Sequence, residues 1–218
     1  MVTVEADAVA VEHRLGAGRL KCPRCAARLA GWGYARERRV RGQDGPLRLR
    51  PRRSRCTGCG ATHVLLPVML LVRRADTAVV IGSALSAREA GAGHRTIAVL
   101  LGRPVETVRG WLRRFAARLE PVRAVFTGWC RALAVDPDRV LPGPAGSRWA
   151  DTLAAIGAAA CVARARLGAA TDGAVGEVAR WETAVAVSAG RLLAPDWPDR
   201  RAWSGSTRVH PPAGRSWQ

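Results

Sequence analysis

The segments Cys22-Pro23-Arg24-Cys25 and Cys56-Thr57-Gly58-Cys59 decide how the first part of the chain folds. Each has the C-x2-C spacing, and 30 residues separate the two pairs. Two intervening residues let one tight turn present both sulfurs, and Gly60 suits the left-handed conformation that such turns often need. This arrangement is typical of a tetrahedral thiolate site, for which Zn²⁺ is the expected metal. We expect zinc ligation by Cys22, Cys25, Cys56 and Cys59; the alternative is four unrelated buried cysteines.

The sequence between the cysteine pairs predicts a two-stranded hairpin. Asp44-Gly45 is a strong hairpin signal, and residues 33–42 and 46–55 supply the two strands. Because side chains alternate along a strand, Arg48 and Arg50 point to one face and Leu47 and Leu49 to the other. Together with the cysteine pairs, this hairpin predicts a zinc ribbon.

Composition indicates a folded chain. Hydrophobic residues make up 48% and charged residues 24%, as is ordinary for a globular protein. No apolar run approaches the roughly 20 residues that span a bilayer, and the first residues contain acids and no apolar signal core. We expect a cytoplasmic, nucleoid-associated protein with no membrane partner, in which cysteines serve as metal ligands or buried thiols rather than disulfides.

The chain is strongly basic. Its 218 residues include 35 Lys+Arg and 17 Asp+Glu, which gives a formal net charge of +18. Residues 1–75 carry 16 of these basic residues and 5 of the acids, an excess of 16 − 5 = +11. A GC-rich genome would raise the arginine content evenly, whereas this excess is concentrated in the first third of the chain. The distribution indicates a polyanionic partner such as nucleic acid.

The predicted ribbon carries most of this charge. Residues 36–55 contain nine arginines and two acids. Like charges on neighbouring strands repel, so such a face favours bound phosphates. The alternative is a solvated basic face that only keeps the protein soluble. We expect phosphate contacts from Arg48, Arg50, Arg52, Arg53 and Arg55.

His63 follows the second cysteine pair, in a segment that we expect to form a third strand, Thr62–Pro67. We interpret His63 as structural or DNA-facing, because four ligands are already present. The alternative is that His63 replaces one cysteine as a ligand.

Three predicted helices follow the ribbon, and a glycine turn joins the second to the third. Asp76 is the expected N-cap of a first helix over residues 77–90. A short helix, His94–Leu101, is stopped by Gly102, and a longer helix over 104–119 then begins at a proline. Two helices around so tight a turn indicate a helix-turn-helix.

The second helix of this unit carries the candidate recognition surface. Its apolar positions Val108, Leu112 and Phe115 recur at helical spacing, which leaves a polar face outward. Arginine on that face can contact guanine or phosphate, and the helix N-terminus suits a backbone phosphate. The alternative is an ordinary helical hairpin with a polar outer face. We expect DNA contacts from Arg95, Thr96, Glu106, Thr107, Arg109, Gly110, Arg113 and Arg114.

Residues 22–115 resemble bacterial insertion-sequence-associated proteins that join a zinc ribbon to a helix-turn-helix. The motifs that carry this resemblance are CPRC, CTGCGATHVLLP and GAGHRTIAVLLGRPVETVRGWLRRF. The ribbon alone is similar to the N-terminal zinc-binding module of several transposase families. The resemblance covers somewhat under half of the chain. It implies that the paired cysteines bind zinc and that the helix around Thr107 to Arg114 reads DNA.

One departure from transposases limits this resemblance. Their catalysis requires a domain that presents three carboxylates, on strands and a nearby helix, to two Mg²⁺ ions. Residues 121–218 contain eight acids in Ala-rich sequence without a succession of credible strands. We therefore expect no strand-transfer chemistry and no enzymatic activity.

The expected fold class is α+β, with a small β zinc ribbon followed by a mostly α-helical region that contains the helix-turn-helix. In the C-terminal half we expect a proline-marked linker, helices over 147–167 and 172–193 and a turn over 168–171 between them. The expected segments are a zinc ribbon with an N-terminal strand (1–67), a helix-turn-helix unit (68–119), an Ala-rich helical region (120–194) and a disordered tail (195–218).

The leading functional hypothesis is a non-enzymatic, zinc-dependent DNA-binding protein that acts as a transposon accessory factor or transcriptional regulator. Its expected partners are double-stranded DNA and either a transposase or a second copy of the chain. The alternative is the N-terminal DNA-binding part of a split or degenerate transposase. A third hypothesis is an electron carrier, because four thiolates can also hold a single iron. The arginine-rich face argues against that hypothesis, since an electron carrier does not require it.

Overall fold

A computed structural model describes residues 1–168 and 180–198. Over these residues the chain forms the strands β1 Val2–Val4, β2 Leu29–Tyr34, β3 Arg38–Arg41, β4 Pro46–Leu49, β5 Arg52–Cys56 and β6 Thr62–Pro67. It also forms the helices α1 Ala8–Gly16, α2 Ala78–Glu89, α3 His94–Leu101, α4 Val105–Ala116, α5 Leu119–Leu133, α6 Pro137–Val140, α7 Arg148–Gly168 and α8 Arg180–Val187. The expected α+β class is confirmed, with every strand of the described part before residue 68.

Residues 1–67 form the N-terminal module. One sheet has the strand order β1-β6-β5-β2, and β3 and β4 pair in a separate two-stranded sheet. Strand β1 runs parallel to β6, and the other pairings are antiparallel. The predicted N-terminal strand and the predicted strand Thr62–Pro67 are both present.

Helix α1 was not expected from the sequence. Asp7 caps it by accepting a hydrogen bond from the Val9 N–H at 2.8 Å. Val11 and Leu15 are buried in the same cluster as Leu29 and two of the paired cysteines. The helix therefore completes a small core that supports the cysteine turns.

The predicted hairpin is present, but it is divided into two segments. At its tip, β3 pairs with β4 and the Gly42 N–H donates to the Gly45 carbonyl at 2.8 Å, which confirms the expected turn. Nearer the cysteines, β2 pairs with β5. Pro51 separates β4 from β5, since proline has no N–H to donate to a strand ladder. The arginines of 46–55 therefore belong to two strands rather than one.

The helices enclose a second and larger core. Helix α3 packs on α4, α5 packs on α7, and α2 contacts α3, α4 and α8. The largest fully buried side chains of this core are Phe115, Phe126, Ile81, Leu85, Ile97, Leu153 and Ile156. In the described part of the chain, no helix is both long and apolar enough to cross a membrane.

The start of α2 differs from the expectation. Thr77, not Asp76, is the N-cap, and its side chain accepts a hydrogen bond from the Val80 N–H at 3.5 Å. Asp76 is only 2% exposed and binds two arginines instead. The capping prediction for Asp76 is wrong because these long-range charge partners compete with the local helix terminus.

The region after the α3–α4 pair also departs from the expectation. The predicted helix over 104–119 ends at Ala116, and α5 is a separate helix because the backbone leaves helical geometry at Arg118, with φ −140° and ψ 22°. The proline-marked linker after α5 contains the short helix α6.

The C-terminal region is described in part. Helix α7 confirms the helix predicted over 147–167. The predicted turn at 168–171 lies almost wholly outside the described residues, and so do residues 172–179 of the next predicted helix. The described part of that helix is α8, which ends at Val187 rather than at 193. The predicted disordered tail is wrong for residues 195–198, because Trp197 packs against Phe126 with ring centroids 6.3 Å apart. The rest of the tail, with Trp203, His210 and Trp217, lies outside the described residues.

Candidate metal centre and basic surface

The four paired cysteines converge on one point. Their sulfur atoms all lie within 4.8 Å of one another. The Sγ atoms of Cys22 and Cys59 are 3.8 Å apart, and those of Cys25 and Cys56 are 3.3 Å apart. A tetrahedral ion with metal–sulfur bonds of about 2.3 Å requires sulfurs about 3.8 Å apart. The four cysteines can therefore hold a metal ion.

Two similar turns present these sulfurs. In the first, the Ala26 N–H donates to the Cys22 carbonyl at 2.9 Å, and in the second the Gly60 N–H donates to the Cys56 carbonyl at 3.1 Å. Ala26 and Gly60 both adopt positive φ, at 59° and 71°. The left-handed conformation predicted at Gly60 is confirmed, and the first turn imposes it on an alanine.

Backbone N–H groups stabilise the thiolate form of Cys56. The N–H groups of Gly58 and Cys59 each lie 3.4 Å from its Sγ. The Cys59 N–H makes the largest contribution and lowers the pKa of Cys56 to about 6. Burial acts in the opposite direction, and hydrogen bonds from Cys25 and Gly58 lower the pKa by smaller amounts. Because metals bind thiolates rather than thiols, this turn favours the ligand form of the residue.

His63 lies beside the cluster and outside the four-cysteine set. Its ring is 6% exposed, and Nε2 lies 3.4 Å from the Cys22 Sγ. Burial is the main cause that lowers its pKa, and the positive charges of the N-terminal ammonium and Arg24 add to it. The structural interpretation of His63 is confirmed, whereas the DNA-facing one is wrong because β6 directs the ring inward.

The five candidate ribbon arginines differ in their freedom to bind a ligand. Arg48 is 82% exposed, with a long ion pair of 3.6 Å to Glu37. Arg50 and Arg55 are also exposed, whereas Arg52 and Arg53 are half-buried.

Arg52 is engaged within the protein. Its Nε lies 2.6 Å from the Glu12 carboxylate, and its Nη1 donates to the Gly33 carbonyl at 2.8 Å. Arg52 therefore braces α1 against the ribbon, and its expected phosphate contact stays a prediction.

Two aromatic side chains on β2 have a role that the sequence pattern did not reveal. Trp32 is 49% exposed and Tyr34 is 50% exposed. The Arg55 guanidinium lies 4.8 Å from the Trp32 ring centroid, while the guanidinium groups of Arg52 and Arg50 lie 4.7 and 5.3 Å from that of Tyr34. The detectable signal was the run Gly31-Trp-Gly-Tyr34, in which period-2 alternation predicts one face for both aromatics. The register shift between Gly31 and Tyr34 breaks that alternation in the structure.

The two helices predicted on either side of Gly102 are both present as α3 and α4. Gly102 adopts φ 59° at the end of α3, and Ala98, Val108 and Trp111 are buried where the two helices meet. Of the candidate contact residues, the structure exposes Arg95, Thr96, Glu106, Arg109 and Arg113 and leaves Thr107, Gly110 and Arg114 half-buried.

Two of these candidates interact with neighbours on their own helix. Arg109 pairs with Glu106 at 3.3 Å. The Arg114 guanidinium covers the open position at Gly110, where a Cβ would lie 2.8 Å from its Nη1. Arg113 is exposed in the last turn of α4.

Asp76 joins the tip of the ribbon to the turn between α3 and α4. Its carboxylate accepts two hydrogen bonds from Arg41, at 3.0 and 2.6 Å, and one from the Arg103 Nε at 2.6 Å. Arg103 also donates to the Gly42 carbonyl at 3.1 Å and to the Leu101 carbonyl at 2.9 Å. These residues lie on segments far apart in the chain, so sequence pattern alone gave no signal for the joint.

An open cleft of about 500 Å³ lies next to this joint. Three arginines, Arg39, Arg41 and Arg103, line it together with the glycines of the hairpin tip. Asp76 offsets one of these charges, so the cleft remains basic. It extends the candidate anion-binding surface from the ribbon to the start of α4.

No match to the chain was found among protein-family models, curated proteins or solved structures.

Proposed function

We propose that the protein is a non-enzymatic, zinc-dependent DNA-binding protein with two contact surfaces. The zinc ribbon binds the phosphate backbone, and α4 acts as the recognition helix of a helix-turn-helix. Arginines supply both surfaces, consistent with a formal net charge of +18.

The observation that carries this proposal is the joint at Asp76. The carboxylate binds Arg41 from the ribbon and Arg103 from the α3–α4 turn. Asp76 is 2% exposed, and the Arg103 side chain is 14% exposed. A buried ion pair with several hydrogen bonds fixes relative orientation. The hairpin tip and the α3–α4 turn are thereby fixed relative to each other, as simultaneous contact of the ribbon and α4 with one duplex requires.

The proposed metal is Zn²⁺. Four thiolates of soft character that lie within 4.8 Å of one another suit zinc, which needs no redox partner and completes small folds of this kind. Bound zinc would fix the two cysteine turns and hence the start of β2 and the end of β5. Metal content measured on protein purified without added metal tests this assignment, with one zinc per chain expected and one iron per chain contradicting it.

The two surfaces have different proposed roles. Arg48, Arg50 and the arginines of the cleft contact phosphates, which provides affinity without sequence preference. Arg113 and Arg109 on α4 contact base edges in the major groove, where arginine pairs with guanine. A transposon accessory factor or a transcriptional regulator would both use such a surface. A transposase or a second copy of the chain is the proposed protein partner, with the nucleoid as the proposed location.

A salt titration of duplex binding tests the phosphate role of the ribbon. Affinity for a random-sequence duplex is measured by fluorescence anisotropy over a range of salt concentrations for the parent protein and Arg48→Ala/Arg50→Ala. The magnitude of the slope of log K against log salt falls by about 0.9 for each phosphate that the variant no longer neutralises. Arg139→Ala is the matched control, because it removes an 87% exposed arginine on α6, outside the proposed surface.

The control should keep the parent slope within error, and the ribbon variant should bind more weakly at low salt with a shallower slope. Equal slopes for the two variants would contradict the ribbon's phosphate role. A parent protein that binds no duplex at low salt would overturn the proposed function.

A further inference from the structure

Strand β2 presents two aromatic rings to solvent. Trp32 and Tyr34 are each about half exposed, at 49% and 50%. Strand β2 lies at the end of the β1-β6-β5-β2 sheet. Neither ring belongs to a buried cluster of the described residues. Large aromatics are usually buried in a folded protein, so this pair is not explained by stability.

The backbone of β2 is irregular at the two rings. Gly33, between the two aromatics, has φ 70°, and the β2–β5 register shifts between Gly31 and Tyr34. A Cβ added at Gly31 would lie 2.6 Å from the Arg52 Nη2, so the Arg52 guanidinium lies against the backbone of β2 just before Trp32. The strand therefore departs from regular pairing where the rings project.

Arginines accompany the rings at stacking distance. Arg55 lies over Trp32 at 4.8 Å and Arg50 over Tyr34 at 5.3 Å. Both arginines are exposed, whereas the third, Arg52, is engaged with Glu12 and Gly33. The positive groups therefore stand next to the rings and remain accessible to an anionic ligand.

We propose that Trp32 and Tyr34 each stack on an unpaired base of single-stranded nucleic acid, with Arg50 and Arg55 on its phosphates. An aromatic ring stacks on the face of a base, and base faces are accessible only in an unpaired strand. The neighbouring positive charge matches a polyanion rather than an apolar peptide. The proposed duplex contact uses the ribbon arginines and α4, and the inference goes beyond it by adding the two aromatic rings. The chemistry of such stacking is shared by single-stranded DNA and RNA.

The test measures binding of dye-labelled oligo-dT, oligo-U and a duplex of the same length by anisotropy, using the full chain. The parent protein should bind both single strands, and comparison of oligo-dT with oligo-U assigns the preferred sugar. For Trp32→Ala/Tyr34→Ala we expect affinity for the preferred strand to fall by about fivefold or more per ring removed. Duplex affinity should change by less than about twofold, since rings that stack on unpaired bases do not contribute to duplex binding.

Two matched variants separate stacking from loss of apolar surface. Trp32→Phe/Tyr34→Phe keeps both aromatic rings and should bind the single strand within about threefold of the parent. Leu47→Ala removes a 39% exposed apolar side chain from β4 of the same ribbon and should leave single-strand binding unchanged.

A second readout does not depend on the alanine variant remaining folded. Tryptophan emission of the parent should be quenched on addition of oligo-dT, and Trp32→Phe should lose part of that quenching at saturating oligonucleotide. Unchanged quenching in Trp32→Phe would overturn the proposal. Equal loss of single-strand and duplex binding in the alanine variant would overturn it too, as would a parent that binds neither oligo-dT nor oligo-U. The duplex arm tests the proposed function separately, so failure of one proposal is distinguishable from failure of the other.

Discussion

Asp76 shows how far a residue's role can depend on distant partners. It directly precedes Thr77, the cap of α2, where sequence pattern predicts that Asp76 itself is the cap. In the fold, its carboxylate binds Arg41, which lies 35 positions earlier in the chain, and Arg103, which lies 27 positions later. Two charge-assisted ion pairs stabilise a carboxylate more than the N-terminus of a single helix does. Asp76 therefore binds the arginines, and Thr77 caps α2.

Removal of this carboxylate should be strongly destabilising. For Asp76→Ala we expect the free energy of unfolding to fall by about 3 kcal/mol, because two arginines lose the charge that they surround. Urea denaturation followed by circular dichroism measures this loss.

Glu37→Ala is the matched control for Asp76→Ala. It removes a carboxylate that is 54% exposed and pairs with Arg48 over 3.6 Å, so we expect a change below about 0.5 kcal/mol. Equal effects of the two substitutions would show that the buried joint contributes no more than a surface ion pair.

Helix α2 packs closely on α8 at a single glycine. A Cβ at Gly82 would overlap the indole ring of Trp181. Gly82→Ala should therefore destabilise the fold by about 2 kcal/mol, although alanine is the better helix former. Thermal denaturation should show a lower Tm.

The control for the glycine substitution is Gly128→Ala in α5. A Cβ at this exposed position meets no atom within 4 Å, so we expect stabilisation of about 0.5–1 kcal/mol from helix propensity alone. A stabilised Gly82→Ala would contradict the close contact between α2 and α8.

Helix α4 is the element on which, in our proposal, sequence-specific binding depends. Arg113→Ala should weaken binding to the preferred duplex by about 1–3 kcal/mol while random duplex is affected much less. Arg48→Ala on the ribbon should weaken both duplexes similarly, because a phosphate contact carries no sequence information. Anisotropy competition between the two duplexes measures the ratio. An equal loss on both duplexes for Arg113→Ala would reject its base-contact role.

Elements with strong local signals could be predicted from sequence. The cysteine turns, the Asp44-Gly45 turn and the α3–α4 pair around Gly102 depend on spacing and on glycine or proline at fixed positions, and each is present. Helix α1 was missed because the alternating start of its sequence, AVAV, does not show a helical period; Asp7 and the packing of Leu15 make it helical. Pro51 was visible in the sequence, but whether it would interrupt the ribbon depended on where the two strands paired.

Across the whole molecule, the unpredicted features are those that join segments far apart in sequence. The four-cysteine set was predictable as a unit because its spacing implies convergence. The Asp76 joint, the basic cleft beside it and the brace from Arg52 to Glu12 depend on tertiary arrangement. The Trp32 and Tyr34 pair had a periodic signal, but its exposure depends on β2 lying at the sheet edge.

We predict that the proposed binding of duplex DNA requires a metal ion held by the four paired cysteines. Selection of binders from a random duplex pool at near-physiological salt tests this requirement, with zinc-loaded protein, chelator-treated protein and Cys56→Ser in parallel. We expect a defined motif with the zinc-loaded protein, and loss of that motif in both controls. Recovery of the same motif from the chelated protein and from Cys56→Ser, or no recovery of DNA by the zinc-loaded protein, would contradict metal-dependent duplex binding.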